Sequence, residues 1–303
     1  MNLIDDLKIR FGNGDVLTRI ILINIAVFLV INFGKLFAWT GIIDPSTIAL
    51  LVNKISFAIY LPKLITQPWG VFTYMFVHEG LGHIFWNMIV LYWVGQLIME
   101  YIGAKKLVNI YLLGGLFSII FMAIILNGMQ WIYSSMDRSF TLVTPFSFAL
   151  GASGSINACL VAIATLIPEY TISLILIGPV RLKYIAVVVV ILSLINIPNG
   201  NAGGEIAHIG GALFGFIYTR QLQSGNDLGG WLTKLIDRFS KPGRSNLKIV
   251  YNRSNVSEKH SRGNKYDEET IDRILDKISK SGYNSLSKEE KEILFNASDK
   301  KNK

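Results

Sequence analysis

Residues 151–167, GASGSINACLVAIATLI, place one small hydroxyl residue, Ser153, between glycines at the start of a mostly apolar segment. The apolar run predicts a helix that enters a membrane, where roughly 20 helical residues cross a hydrocarbon core of about 30 Å. A Gly-x-Ser-Gly pattern is common by chance, and a serine in an apolar helix often bonds only to its own backbone. The stretch alone therefore leaves both a packing role and a chemical role open for Ser153.

The composition of the whole chain is typical of a membrane protein. Of its 303 residues, 51% are hydrophobic and only 17% are charged, whereas a soluble domain carries about a quarter charged residues. The single cysteine, Cys159, excludes an internal disulfide. The first apolar run begins near Thr18 and has no small-residue cleavage site after it, which favours a first membrane helix over a cleavable signal peptide.

Six segments are predicted to be membrane-spanning helices by their length and apolar character. They cover residues 18–39, 80–100, 105–127, 150–167, 182–198 and 203–221. The fifth segment is short and the sixth is rich in glycine. The predicted fold class is an all-α polytopic membrane protein built as a six-transmembrane-helix bundle.

The lysines and arginines of the short connections predict the orientation of this bundle. Three groups fall on the same face as the basic residues that follow the sixth segment. These groups are Lys8, Arg10 and Arg19 before the first segment, Lys105 and Lys106 after the second, and Arg181 and Lys183 after the fourth. Because positive residues mark the cytoplasmic side, both termini are expected in the cytoplasm.

The first outward connection, residues 40–77, is long and apolar but too interrupted to cross a membrane. Such a segment is expected to lie partly in the outer leaflet. Trp69 and Tyr74 are then expected at the level of the lipid headgroups, where aromatic residues concentrate.

Most of the positive charge lies after the membrane region. Residues 220–303 hold 18 Lys/Arg and 12 Asp/Glu, a net charge of +6. A basic stretch that directly follows a hydrophobic segment favours contact with anionic lipid over binding of nucleic acid.

The tail itself predicts a polar linker followed by a small helical hairpin. Residues 240–265 are rich in polar and basic residues, and apolar residues then recur at helical spacing, with Ser287 and Glu290 forming a capping box. The predicted organisation has a cytoplasmic N-terminal segment (1–17), a membrane domain (18–221), a basic juxtamembrane linker (222–265) and a helical appendage (266–303).

Five polar side chains inside the predicted spans are candidates for function, because polar groups are costly in a bilayer and usually line a cavity. They are His83 and Asn87 in the second span, Ser153 and Asn157 in the fourth, and His208 in the sixth. In the predicted orientation all five fall in the outer half of the bilayer. Each one alone is compatible with an ordinary interhelical hydrogen bond, but five at one depth favour a site.

Small residues predict that the fourth and sixth spans pack closely. Gly211 and Gly215 follow His208 at three and seven residues, and Gly154 begins a matching stripe on the fourth span. Such stripes let helix backbones approach each other. His208 is therefore expected within hydrogen-bonding reach of Ser153, as a general base beside a nucleophile.

Acyl transfer also requires hydrogen-bond donors for an oxyanion. The Asn87 amide, the His83 ring and the backbone N–H of Ser153, which lies at a helix start, are the candidate donors. Glu205, three residues before His208, is expected at the protein surface. The sequence therefore predicts a Ser-His dyad rather than a triad.

A metal site is the alternative interpretation of two of the histidines. His78, Glu79 and His83 superficially resemble a zinc-binding helix, but no HExxH motif is present. The two histidines are five residues apart, which separates them by about 140° around a helix. The sequence predicts neither a metal nor a cofactor.

These residues resemble the rhomboid family of intramembrane serine proteases. The resemblance rests on HIFWN (83–87) followed by Met88, GASG (151–154) and AHIGGALFG (207–215), in the family's order, and it covers about residues 15–221. It implies a rhomboid-like fold with Ser153 as nucleophile and His208 as base. The implied oxyanion hole is formed by His83, Asn87 and the Ser153 backbone. The supporting residues are Gly151, Gly154, Gly211, Gly215, Asn157 and His78.

The resemblance also implies that residues 40–77 form the membrane-embedded loop of the family, and that the fifth span with residues 200–204 gates the access of substrate. One departure concerns the first loop. Trp69-Gly70 stands where many members have Trp-Arg, so this chain lacks the charge for a salt-bridge anchor at that point.

The expected function is that of an intramembrane endopeptidase that cuts single-span membrane proteins near the outer face of a bacterial cytoplasmic membrane. The expected partners are these substrates and the lipid bilayer, with a cytoplasmic partner of the tail left open and no nucleic acid. A non-catalytic binding or escort protein on the same fold is the alternative. A transporter is disfavoured because the spans show no inverted repeat.

Overall fold

The chain is mostly helical in a computed structural model, which describes residues 15–136, 141–174, 177–199, 201–240 and 268–299. Its contacts define two units, residues 1–243 and 244–303. Residues 1–14 of the predicted N-terminal segment (1–17) and residues 241–265 of the predicted linker (222–265) lie outside the described residues.

The first unit contains ten helices and four short strands among its described residues. In chain order they are α1 (Val16–Trp39), α2 (Pro45–Ile55), β1 (Phe57–Ala58), α3 (Leu61–Leu64), α4 (Gly70–Thr73) with a 3-10 turn (Tyr74–Phe76), α5 (Leu81–Ile102), α6 (Ala104–Ser135), β2 (Phe148–Ala149), α7 (Ser153–Leu166), β3 (Thr171–Leu174), β4 (Gly178–Arg181), α8 (Leu182–Asn196), α9 (Ala202–Gln223) and α10 (Gly230–Ser240). Each of the six predicted spans coincides with one helix, although α6 continues to Ser135 instead of ending near residue 127.

Three of these helices, α1, α5 and α6, are long and apolar enough to cross a membrane. Helices α7 and α8 are apolar but have only 14 and 15 residues, or about 22 Å of helix each. Helix α9 matches α5 in length, with 22 residues, but is less apolar. The crossing of all six helices therefore stays a prediction.

Helix α7 lies at the centre of the first unit. It packs against α5, α6, α8 and α9, and most of its side chains are buried. Ala158 and Cys159, in the middle of the helix, have no exposed surface. The helix that begins with Ser153 is thus held on several sides by its neighbours.

Glycines allow α7 and α9 to approach each other at backbone distance. A Cβ atom on Gly211 would collide with the carbonyl oxygen of Gly154, and one on Gly215 would collide with that of Ala158. The prediction for Gly154 holds in part, because a Cβ there would lie 3.6 Å from the Ala207 carbonyl oxygen of α9 but would collide with the Ser118 hydroxyl of α6. The close approach of α9 therefore depends mainly on Gly211 and Gly215, while Gly154 mainly makes room for α6.

The first connection folds back onto the bundle next to the site. Strand β1 pairs antiparallel with β2, with Phe57 opposite Ala149 and Ala58 opposite Phe148. The prediction for Tyr74 is wrong, because its ring is 3% exposed and its hydroxyl donates to the Gly115 carbonyl at 2.7 Å. A buried hydrogen-bond acceptor on α6 holds this tyrosine in the core instead of at the headgroups.

Backbone carbonyls of α2 hold the part of this loop where the salt-bridge anchor is absent. Trp69 Nε1 donates to the Lys54 carbonyl at 2.7 Å, and Thr73 Oγ1 donates to the Ile55 carbonyl at 2.6 Å. Gly70 between them is buried, and a Cβ there would lie 2.6 Å from the Ser56 carbonyl oxygen. A side chain at residue 70 therefore does not fit this form of the loop.

We expect Gly70→Ala and Gly70→Arg to destabilise the protein, because both place a Cβ against a fixed carbonyl, and such overpacking costs about 1–3 kcal/mol. Thermal unfolding of the purified protein in detergent measures the effect. Gly128→Ala is the matched control, since a Cβ at that α6 glycine meets nothing within 4 Å. Equal unfolding temperatures for Gly70→Ala and Gly128→Ala would contradict this account of the loop.

The second unit is a helical hairpin, as predicted from the spacing of its apolar residues. It contains α11 (Glu268–Ser281), a 3-10 turn (Tyr283–Ser285) and α12 (Lys288–Asp299). The capping box is confirmed, because the Ser287 N–H donates to Glu290 Oε2 at 2.7 Å and the Glu290 N–H donates to Ser287 Oγ at 3.2 Å. Lys277 also bonds to Glu290 and, together with the cap, holds the pKa of that carboxyl below its usual value.

Candidate active site

The first residue of α7 and the second turn of α9 meet at a short hydrogen bond. Ser153 Oγ lies 2.7 Å from His208 Nε2. The pairing follows from the glycine contacts between the two helices, which bring their backbones together just beyond these residues. A serine hydroxyl in this contact with an imidazole is arranged for proton transfer from oxygen to nitrogen.

The other ring nitrogen of His208 has two oxygen neighbours. Glu205 Oε2 lies 3.2 Å from His208 Nδ1, and Ser193 Oγ of α8 lies 3.3 Å from the same nitrogen. A carboxylate only accepts hydrogen bonds, so the ring proton lies on Nδ1 and Nε2 is free to accept from Ser153. The contact therefore selects the ring tautomer that a general base requires.

The surface position predicted for Glu205 is wrong. Its side chain is 16% exposed and lies against His208, one helical turn further along α9. Residues three apart lie on the same helix face, so the spacing itself contained a signal for this contact. The position of α8, which supplies Ser193 beside the same ring, was not readable from the spacing.

The turn before Ser153 is shaped by Gly151 and held by two neighbouring residues. Gly151 has φ +118°, a conformation that favours glycine, and its N–H donates to the Tyr74 carbonyl at 2.9 Å. The Ala152 N–H donates to Nε2 of the buried His78 at 3.4 Å. His78 therefore supports the backbone of the turn that presents Ser153.

Candidate oxyanion donors lie around the same turn. A Cβ built on Gly151 would lie 2.8 Å from His83 Cε1 and 3.8 Å from Ser153 Oγ, which places the His83 ring beside the serine. Asn87, one turn further along α5, is 8% exposed. Because Ser153 is the first residue of α7, its backbone N–H also has no partner within the helix.

A single cleft of about 1140 Å³ joins the five predicted polar residues. His83, Asn87, Ser153, Asn157 and His208 all line it. The Asn157 amide donates to the Ser153 carbonyl at 2.9 Å, which supports the first turn of α7.

Other parts of the chain also line this cleft. Val189 of α8 and residues 201–204 before and within the first turn of α9 contribute to its wall, whereas Gly200 lies outside the described residues.

The two histidines that suggested a metal site contact each other through their rings. The centroids of His78 and His83 are 4.9 Å apart in an edge-to-face arrangement. Nε2 of His78 already accepts the Ala152 N–H. Within residues 15–136, 141–174, 177–199, 201–240 and 268–299, no group of three or more His, Cys, Asp or Glu side chains is arranged to hold a metal ion.

Comparison with known protein families gives two matches along the chain. A family described as "Rhomboid domain" matches residues 66–224, which include every candidate site residue. A family of unknown function, DUF6576, matches residues 255–300 in the tail.

One curated relative is RHOMBOID-like protein 12, mitochondrial, from Arabidopsis thaliana. It is 30% identical over 154 residues, which make up 50% of this chain and 46% of the relative. The alignment thus spans about half the length of that relative.

Proposed function

The chain belongs to the rhomboid family, and from this membership and the site geometry we propose that it is an intramembrane serine endopeptidase. Its substrates are single-span membrane proteins, cleaved near the outer face of the bilayer. The observation that supports the proposal best is the 2.7 Å contact between Ser153 Oγ and His208 Nε2. The cleft that contains both residues has room for an extended peptide segment.

In the proposed reaction, Ser153 Oγ attacks the scissile carbonyl carbon while His208 Nε2 accepts the hydroxyl proton. His208 then donates this proton to the leaving amine, so that an acyl-enzyme forms as the peptide bond breaks. Water attacks the ester in the second half of the reaction, with His208 again as base. The product acid leaves, and the Ser153 hydroxyl is restored.

Glu205 extends the predicted dyad to a Ser-His-Glu arrangement in this proposal. Its carboxylate faces His208 Nδ1 at 3.2 Å, opposite the nitrogen that serves Ser153. When His208 takes the proton, a positive ring lies beside a negative carboxylate in a partly buried site. Glu205 is therefore proposed as a positioning residue that also stabilises the imidazolium.

The membrane arrangement proposed for this activity has six crossings and cytoplasmic termini. Ser153 and His208 lie near the starts of α7 and α9. In the proposed orientation these starts face outward, so water reaches the cleft from the outer side. The location proposed for the protein is a bacterial cytoplasmic membrane.

Covalent labelling distinguishes the protease from a non-catalytic escort protein. A fluorophosphonate probe reacts with an activated serine, so we propose to label the purified full-length chain in detergent and in lipid. Folded protein that resists labelling in both would favour the escort function, whereas labelling at Ser153 would support the protease.

We expect Asn87→Ala and His83→Ala each to lower kcat about 100-fold, because each removes one donor that faces the developing oxyanion. KM should change little, since these donors act mainly in the transition state. Cleavage of a reporter transmembrane substrate in proteoliposomes measures both constants.

The control for these substitutions is Asn32→Ala in α1, where the side chain donates only to the Phe28 carbonyl of its own helix among its described contacts. This variant should keep its activity. A loss at Asn32 as large as that at Asn87 would contradict an oxyanion role, since it would indicate general damage to the bundle.

A further inference from the structure

Helix α10 was not predicted from the sequence, and it docks on the bundle through its polar edge. It begins after the six residues that follow α9. Asn109 Nδ2 of α6 donates to the Gly229 carbonyl and to Thr233 Oγ1, both at 2.9 Å, and Lys105 Nζ donates to Asp237 Oδ2 at 2.7 Å. Thr233 and Asp237 therefore define the face of α10 that is turned toward α6.

Trp231 and Leu235, on the apolar face of α10, are turned away from these contacts, whereas Leu232 and Ile236 are half-buried. Trp231 is 59% exposed and Leu235 is 45% exposed, and Leu228 just before the helix is 39% exposed. Trp231 and Leu235 are four residues apart and share a face, which lies about 160° from Thr233 around the helix. A surface helix of a soluble protein does the reverse and packs its apolar stripe on the core.

Two basic residues flank this exposed stripe. Lys234 and Arg238 are exposed and four residues apart, so they lie on one edge of the helix, next to Trp231. The stripe thus carries positive charge on the side that borders its most exposed aromatic ring. That combination fits a surface that has an apolar interior beneath an outer layer of negatively charged groups.

The position of α10 agrees with such a surface. It contacts the start of α6 and follows the end of α9, whereas His208 lies near the start of α9. On α9, Phe216 and Ile217 are 49% and 38% exposed, so the apolar outer surface of the bundle continues to within a few residues of α10. The helix therefore emerges at the membrane boundary opposite the candidate active site.

We propose that α10 lies in the bilayer interface, with Trp231 and Leu235 at the boundary of headgroups and acyl chains. Lys234 and Arg238 then bind the phosphates of anionic phospholipids. The polar contacts to Asn109 and Lys105 hold the helix at this depth and tie it to the start of α6. This binding surface is independent of the proposed protease activity.

The test places an environment-sensitive label on α10 in the full-length chain. Because Cys159 is the single cysteine, a Cys159→Ala background allows NBD labelling of Leu235→Cys, with Ser224→Cys in the preceding polar loop as the matched control. Both are reconstituted in phosphatidylcholine vesicles with and without phosphatidylglycerol. We expect the label at residue 235 to emit at shorter wavelength and to be quenched severalfold more by lipid-attached nitroxides than the label at residue 224.

A second variant tests the basic edge. Lys234→Gln combined with Arg238→Gln, in the Leu235→Cys protein, should remove any increase in lipid quenching that phosphatidylglycerol produces. Both substitutions are on exposed side chains, so the fold should be retained. In the Leu235→Cys protein that keeps Lys234 and Arg238, phosphatidylglycerol should increase lipid quenching at residue 235. Quenching that is the same with and without phosphatidylglycerol would overturn the assignment of anionic lipid.

Other occupants of the stripe give different results. A photo-crosslinker at residue 235 should react with lipid. Crosslinks to residues 268–299 of the same chain, or to residue 235 of a second copy, would overturn the proposal, as would quenching by aqueous iodide equal to that at residue 224.

Discussion

Ser153→Ala and His208→Ala are each expected to lower kcat for a reporter transmembrane substrate by at least about 10⁴-fold, because nucleophile and base act as one unit. Ser153 Oγ and His208 Nε2 are 2.7 Å apart, so removal of either partner leaves the other without its role. The variant with both substitutions should therefore have about the same kcat as each single variant. Rates in proteoliposomes and labelling by a fluorophosphonate provide two independent readouts.

Ser155→Ala is the matched control for this pair. Ser155 lies two residues along α7, is fully buried, and its hydroxyl faces the Met75 sulfur at 4.0 Å instead of the cleft. Its loss should leave activity near that of the wild type. Substantial cleavage by Ser153→Ala or His208→Ala, in protein that is folded by thermal unfolding, would refute the proposed mechanism.

Glu205→Ala is expected to lower kcat about 10³-fold with little change in KM. Loss of the carboxylate partner of a catalytic histidine costs about 10⁴-fold in comparable serine proteases. The effect here should be smaller, because Ser193 Oγ also contacts His208 Nδ1, at 3.3 Å. Glu205→Gln removes the negative charge and adds an amide N–H that can donate to Nδ1 and favour the wrong tautomer, so its kcat should fall about as far as that of Glu205→Ala.

Ser193→Ala separates the contribution of the carboxylate from that of the second neighbour. Ser193→Ala should lower kcat much less than Glu205→Ala does, since a neutral hydroxyl stabilises a positive ring less than a carboxylate does. The variant with both substitutions should lower kcat by more than the two separate effects combined, because in each single variant the remaining partner of His208 compensates for the lost one. A Glu205→Ala enzyme within about threefold of the wild type would instead support the dyad that the sequence predicted.

Much of the fold could be predicted from local sequence. The six apolar segments coincide with helices because their length and composition are properties of each segment alone. Two local patterns predict the meeting of Ser153 and His208, which are the small residues Gly211 and Gly215 and the depth expected for both residues in a six-span bundle. The capping box of Ser287 and Glu290 was equally local.

The features that were missed depend on contacts between distant parts of the chain. Tyr74 is buried because its hydroxyl reaches the Gly115 carbonyl 41 residues away, and the residues next to Tyr74 do not indicate that partner. Gly154 contacts Ser118 of α6, which no spacing on α7 or α9 could identify. Glu205 differs, since its position three residues before His208 indicates the contact, whereas its burial depends on the packing of the neighbouring helices.

Helix α10 was missed for another reason. Apolar residues recur at helical spacing at Trp231, Leu232, Leu235 and Ile236, but the helix has only 11 residues, about half the length of a membrane crossing. Its surroundings, rich in charge and glycine, favoured an irregular linker. The helix docks through Thr233 and Asp237. Their role cannot be predicted from α10 alone, because it depends on Asn109 and Lys105 of the distant α6.

The pairing of β1 with β2 limits how far this protein could be shortened. Among the described residues before Tyr74, Ile59 lines the cleft, and a minimal version beginning at α5 would still keep Ser153, His208 and both candidate oxyanion side chains. Such a chain would still lose the strand opposite Phe148 and Ala149, and also the Tyr74 carbonyl that accepts the Gly151 N–H at 2.9 Å. The first loop is thus a template on which the nucleophile turn is formed, and it would have to be retained in any shortened design.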